Sequence, residues 1–174
     1  MVTTRVDPPL TGELRNRLLA IWVETTNAGG ALGLLEPADP VSAAPVAEPT
    51  WARFDAGTDA LVVLYDDDEP IGWVGLAANA SPLEQHWRTV RRLQVLPSYQ
   101  GKGYGEQLLL AAEDHARDLG LDALHLTVRG KTGTERFYEK LGYEVVGVLP
   151  RALKVSHDDV RDQIYLVKVL QKSS

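Results

Sequence analysis

The sequence predicts a mixed α/β fold in which one sheet is covered by helices. Three observations carry that prediction. Apolar residues recur at helical spacing near the start of the chain and again over 106–119. From residue 60 the period shortens to that of strands, with a hairpin around an acidic turn. The second half then alternates, so the full order reads helix, helix, hairpin, strand, helix, strand, helix, strand, strand. A length of 174 residues suits one domain over 1–174. With 44% hydrophobic and 24% charged residues, the composition is that of an ordered globular chain.

Leu14, Leu18, Ile21, Trp22 and Thr25 fall on one face, which predicts a helix over 12–27 with Thr11 as its cap. Gly29 and Gly30 end it. Glu36–Pro49 holds four prolines in 14 residues and is expected to be a loop, with a short helix near Trp51–Asp55. Ala60–Tyr65 and Ile71–Ala78 read as paired strands around Asp66–Pro70, an acidic stretch that lacks a calcium-loop pattern. Arg88–Leu96 is the next strand, with Val90, Arg92, Gln94 and Leu96 on one face and Arg91, Leu93 and Val95 on the other. Glu106–Leu119 carries an apolar stripe of Leu108, Leu109, Ala112, Ala116 and Leu119, a Glu113–Arg117 pair at i,i+4, and Gly120 as a stop. Ala123–Val128 is a strand. Thr132 and Glu135 have capping-box spacing for a helix over 133–141. Tyr143–Leu149 and Gln163–Leu170 are the last strands, joined through a turn within Ser156–Asp162.

The charge balance bears on partners. With 24 acidic against 18 basic residues the net charge is −6, which argues against nucleic acid as the main ligand. There is no cysteine, so thiolate metal sites and cysteine nucleophiles are excluded. No histidine–carboxylate pair has metal-binding spacing, and no metal is expected. The longest apolar stretches, Ala60–Tyr65 and Leu108–Ala112, fall far short of the roughly 20 residues a bilayer requires. The expectation is a soluble cytoplasmic protein without membrane contact, with room left for a homodimer.

The chemistry concentrates at Gln100-Gly101-Lys102-Gly103-Tyr104-Gly105, between a strand and a strong helix. Three glycines clear side chains from the backbone, and the following helix start offers free N–H groups to an anion such as a pyrophosphate. The spacing is neither the dinucleotide fingerprint nor the ATP loop. On these grounds alone the segment is an anion cradle or a tight turn.

Leu93-Gln94-Val95-Leu96-Pro97 followed by Gln100–Gly105 resembles the acetyl-CoA-binding segment of the GNAT superfamily of N-acetyltransferases, in which Arg/Gln-x-x-Gly-x-Gly/Ala is matched by Gln100, Gly103 and Gly105. Phe137-Tyr138-Glu139-Lys140-Leu141-Gly142-Tyr143 is similar to the family's Phe-Tyr-x-x-x-Gly-Phe/Tyr element. Asn27-Ala28-Gly29-Gly30 and Gly147-Val148-Leu149-Pro150 resemble its tabtoxin-resistance branch. The resemblance implies a mostly antiparallel central sheet with one splayed pair of parallel strands, and acetyl-CoA as acetyl donor. It implies that the backbone of Leu93, Gln94 and Val95 pairs with the pantetheine arm. The amides of Gln100, Gly101, Lys102, Gly103, Tyr104 and Gly105 then hold the pyrophosphate, and Phe137 forms a cofactor wall.

Tyr138 is the expected general acid, because a phenol stays protonated at neutral pH and can protonate a departing thiolate. The base is unassigned. Arg91 and Arg92 stand where many members offer a carboxylate, Thr127 where the branch has an acid, and Lys131 where an Asn is frequent. His125 reads as a structural strand histidine. Arg88, Arg91, Arg92 and Arg129 are candidates for a substrate carboxylate or for exposed charges. The expected activity is direct acetyl transfer to a small-molecule amine. A protein or peptide amine and a non-catalytic acyl-CoA sensor are the alternatives.

Overall fold

The computed structural model describes residues 1–170. Seven strands form one sheet in the order β1-β2-β3-β4-β5-β7-β6. They are β1 (Val2–Val6), β2 (Ala60–Asp66), β3 (Glu69–Ala78), β4 (Trp87–Val95), β5 (Ala123–Arg129), β6 (Glu144–Lys154) and β7 (Val160–Val169). Every neighbouring pair is antiparallel except β4 and β5. The helices are α1 (Gly12–Asn27), α2 (Pro40–Asp55), α3 (Tyr104–Asp118) and α4 (Glu135–Lys140). The mixed, mostly antiparallel sheet flanked by helices is therefore the architecture expected.

Strands β2 and β3 are buried almost throughout, which requires cover on both faces of the sheet. On one face Trp73 of β3 meets Trp22 of α1, with ring centres 5.9 Å apart, and Trp51 of α2 at 5.6 Å. The Trp73 indole N–H donates to the Leu18 carbonyl at 3.1 Å, so this large side chain is packed without losing its hydrogen bond. The other face is covered by α3, whose Leu108, Leu109, Ala112 and Ala116 are fully buried. Leu119, placed in the same stripe from the sequence, is 44% exposed because it lies past the helix end beside Gly120 at φ +73°.

Helix α1 has the expected limits, and the Thr11 side chain accepts from the Leu14 N–H. The expectation for 36–49 is overturned, since α2 runs unbroken from Pro40 through Pro45 and Pro49 to Asp55. Its start is strong. Asp39 accepts from Val41 and Ser42 N–H, the Ser42 hydroxyl caps back, and Pro40 sits where no intrahelical N–H is needed. Pro45 and Pro49 lie four apart on the exposed side, while Ala43, Ala47 and Trp51 face the core. The carbonyls that lose a donor therefore turn toward water. Proline count alone hides this because position on the helix decides the outcome.

Strand β1 was not recognised in MVTTRV. It is a mostly exposed edge strand whose signal comes from its pairing with β2. The alternation assigned to β4 fails at Arg92, which takes φ +57° in a bulge where Trp73 faces Gln94 but Gly75 faces Arg91. The Thr132–Glu135 capping box does not form: α4 starts at Glu135, and the Thr132 hydroxyl donates to the Arg129 carbonyl instead. The final hairpin turns within Val155–Asp159, tighter than expected.

Replacing Pro45 by Ala restores the N–H for the Val41 carbonyl on an exposed helix face. Denaturant unfolding should show a gain of about 1–3 kcal/mol. An unchanged or lower midpoint would mean that α2 is not helical through residue 45.

Candidate active site

The site begins where β4 leaves β5. Only Trp87–Ala123, Arg88–Leu124 and Thr89–His125 are paired. Beyond Thr89, β4 stays on β3 as far as Val95, whereas β5 stays on β7 as far as Arg129. The gap is a cavity of about 780 Å³, walled on one side by Val90 and by Arg92–Val95 and on the other by Leu126–Arg129. The implied splay of a parallel pair is thus present. Leu93, Gln94, Val95, Gln100, Gly101, Gly103, Gly105, Phe137 and Tyr138 all line this one space.

At one end the chain leaves β4 through a tight turn at Pro97–Tyr99 and enters α3. Gln100 donates its side-chain amide to the Val95 carbonyl at 2.9 Å, pinning the loop to the strand end. Gly101 and Gly103 take φ +74° and +83°, where L side chains are strained. Gly103 caps α3, so the N–H groups of Tyr104, Gly105 and Glu106 begin the helix without intrahelical acceptors. Two residues of the segment keep their side chains out of the cavity. Lys102 donates to the Ser98 carbonyl at 3.1 Å, and Tyr104 packs on Tyr99 with ring centres 6.1 Å apart. Lys102 therefore does not bring its ammonium to the cavity wall.

Helix α4 supplies the aromatic wall. Tyr138 is 8% exposed, with Phe137 and Tyr143 edge-on at 5.0 and 5.6 Å. Burial raises its phenol pKa well above the ordinary value. Behind it lies a charged core: Glu113 is fully buried on α3, 2.6 Å from the Lys168 ammonium and 3.5 Å from Arg117. The i,i+4 pair is thus present, although Lys168 on β7 is the nearer partner. Tyr143 beside this group is also raised, first by burial and then by the Glu113 carboxylate.

The opposite end lies under the C-terminus of α1, where Thr25 and the loop Gly29–Leu32 reach the cavity. The Trp22 indole donates to the Leu32 carbonyl at 3.1 Å and holds that loop in place. Arg92 lies over the Trp22 ring at 4.3 Å and also lines a second cavity of about 380 Å³, with Arg91, between α2 and the sheet. Thr25 and the Gln94 side chain escaped sequence reasoning. The first looked like part of an apolar face, and the bulge that turns the second cannot be read from composition. Of the remaining candidates, Thr127 and Arg129 line the main cavity, whereas His125 and Arg88 do not. His125 is packed between Trp87 and Tyr165, and burial lowers its pKa. Among the described residues no group of histidines and carboxylates could hold a metal.

A sheet opened between two parallel strands, with a glycine-rich helix start at its mouth, matches a known family. Residues 31–143 fit the model of the acetyltransferase (GNAT) family, and the chain belongs to that family. It is 30% identical over 105 residues to the uncharacterized acetyltransferase SpyM3_1195 of Streptococcus pyogenes serotype M3, covering 59% of this chain and 68% of that protein. Similar solved folds include an N-acetyltransferase of Staphylococcus aureus Mu50 (TM-score 0.79, 17% identity, 98% of this chain and 99% of that one). Another is yncA of Salmonella typhimurium, solved with acetyl-CoA (TM-score 0.74, 18% identity, 100% of this chain and 96% of that one). Among the described residues no helix is long and apolar enough to cross a membrane.

The raised phenols of Tyr138 and Tyr143 make alkaline stability a test of this packing. The unfolded chain ionises its tyrosines near pH 10, before the folded one does. Their contribution is therefore complete below about pH 10 and is lost as pH rises further. Scanning calorimetry should find the wild-type Tm falling above about pH 10, and falling less steeply in Tyr143→Phe. Equal slopes would place the Tyr143 hydroxyl in water.

Proposed function

We propose that this chain transfers the acetyl group of acetyl-CoA directly to the amine of a small molecule, with both substrates bound at once. The observation that carries the reading is the separation of β4 from β5 beyond Thr89, which opens one continuous space between the glycine-rich start of α3 and the end of α1. The residues at the α3 end fit the donor. Free helix-start amides and glycines at positions 101, 103 and 105 suit a pyrophosphate. The unpaired edge of β4 suits the amides of a pantetheine arm. Because Leu96 N–H turns to Ile71 on β3, strand alternation turns the Val95 N–H and carbonyl toward the gap. Gln100 takes up that carbonyl, leaving the N–H available.

Acetyl-CoA supplies an acetyl group activated as a thioester. In this reading Val95 and Leu93 orient it through their backbone, and Phe137 and Tyr138 exclude water. The amine nitrogen bonds to the acetyl carbon as the carbon–sulfur bond breaks. Tyr138 donates its hydroxyl proton to the departing sulfur, the proton lost by the amine passes to water, and Tyr138 regains a proton from water, so the phenol is restored. A phenol is in its protonated form at neutral pH and so has a proton to give; burial raises its pKa further, which keeps the proton in place until the thiolate forms. In this reading one domain spans 1–174, and the resemblance of Asn27–Gly30 to the tabtoxin-resistance branch, with Gly29 and Gly30 lining the cavity, supports that subgroup. Localisation in this reading is cytoplasmic.

Gly105 offers a clean test of the donor end. A Cβ there would meet only Phe137 Cζ at 3.8 Å, an ordinary contact, so Gly105→Ala should fold as wild type does. If the amides hold the pyrophosphate, calorimetric titration should show CoA affinity reduced at least about tenfold. Unchanged affinity would remove the loop from the donor site.

Tyr138→Phe keeps the ring and removes only the proton. CoA affinity should survive, while the single-turnover rate with a competent amine falls about 10²-fold or more. A rate within about threefold of wild type would make Tyr138 a packing residue; that threefold is under 1 kcal/mol. Thiol release measured over a panel of amines separates the enzyme from a binding-only protein.

A further inference from the structure

Three residues that line the main cavity carry buried polar atoms without hydrogen-bond partners. They are the Thr25 hydroxyl, the side-chain amide of Gln94 and Nε of Arg92. Thr25 is 5% exposed and Gln94 is 3% exposed. Burying such groups unpaired is costly, and native chains keep few of them, so their coincidence on one cavity wall points to a ligand that pairs them. All three can donate: one hydroxyl, one amide NH₂ and one guanidinium fork.

Charge selects the ligand. Arg5, Arg15, Arg17, Arg53, Arg117 and Arg161 each reach a carboxylate. Arg92 instead lies over Trp22, beside the cation Arg91. The nearby carboxylate, Asp59, is held by Arg53 through two hydrogen bonds and accepts from Ala78 N–H. Burial and Arg91 lower the Arg92 pKa to about 10 against a smaller opposing effect of Asp59, so it remains a cation at neutral pH with no carboxylate in ion-pair contact among the described residues. A carboxylate accepts donors on both oxygens and matches the guanidinium fork.

We propose that Arg92, Gln94 and Thr25 bind a carboxylate of the acceptor, so that the acetylated amine belongs to an amino acid or a close analogue. This rests on the acetyl-transfer reading above and narrows it. Arg92 and Gln94 both reach the gap from β4, on either side of Leu93, with Arg92 at the bulge. Tyr138 on α4 lines the same cavity as Arg92, Gln94 and Thr25, so an amine on the carbon next to the carboxylate shares that space with the phenol.

The experiment compares L-amino acids with their own carboxamides as acceptors, by thiol release from acetyl-CoA, in wild type, Arg92→Gln and Thr25→Val. The accepted acids should exceed their amides by at least about tenfold in kcat/KM, a difference of about 1.4 kcal/mol. Arg92→Gln should erase the preference mainly through KM, with CoA affinity by calorimetry within twofold to threefold of wild type, a spread of under 1 kcal/mol. Thr25→Val should weaken the preference while leaving Tm unchanged or higher, because it deletes an unpaired buried hydroxyl; this variant carries the test if Arg92→Gln does not fold. Equal use of acids and amides, or turnover only with amines that lack a carboxylate, overturns the proposal. So does a preference that survives both variants. Loss of CoA binding, or no turnover with any amine, would instead bring down the acetyl-transfer reading, and this narrower one with it.

Discussion

The arrangement depends on one constraint: β4 and β5 cannot remain paired past Thr89. Each strand keeps a stronger commitment elsewhere, β4 to β3 through Val95 and β5 to β7 through Arg129. A sheet normally closes such a gap, because open edges expose unpaired backbone groups. Here the bulge at Arg92 and the entry into α3 carry β4 away. The unpaired edge that results is a surface a substrate can complete. Binding and fold thus share one feature, and the rest of the chain holds it open.

Two rigid supports flank the opening. Under α1 and α2, Trp22, Trp51 and Trp73 form an aromatic wedge, and the Trp22 indole fixes the loop at Leu32. On the other face, Glu113 joins α3 to β7 through Lys168, next to Tyr143 and one ring away from Tyr138. A buried ion pair adds little net stability, yet removing one partner costs about 3–5 kcal/mol. That asymmetry makes Glu113 a determinant of where α3 and α4 meet rather than a reservoir of stability. Tyr138 inherits its position from this core.

Much of this was legible in the sequence because local signals agreed with the global fold. Thr11, the α1 stripe, the acidic hairpin, the α3 stripe and Gly120 each specify an element boundary through short-range chemistry. The glycine-rich mouth of the cavity was legible for the same reason, since glycine spacing at a helix start is a local pattern. The misreadings were non-local. Strand β1 is defined by its partner, and α2 survives its prolines because they face water. The Arg92 bulge exists to match two strands of unequal register. The α1 end of the cavity depends on that bulge, so neither Thr25 nor the Gln94 side chain could be singled out beforehand.

The cavity walls come from separate stretches of chain. Residues 25–32 frame one end, while 100–106 and 132–140 frame the other, and β4 and β5 run between them. The loop after α1 is tied down chiefly through Trp22, behind the wall and away from the opposite mouth. Substitutions there can reshape one end while the other keeps its geometry. On the reading proposed above, a chain divided in this way can change its acceptor by small steps in a single loop, and diverge in specificity while its donor chemistry stays in place.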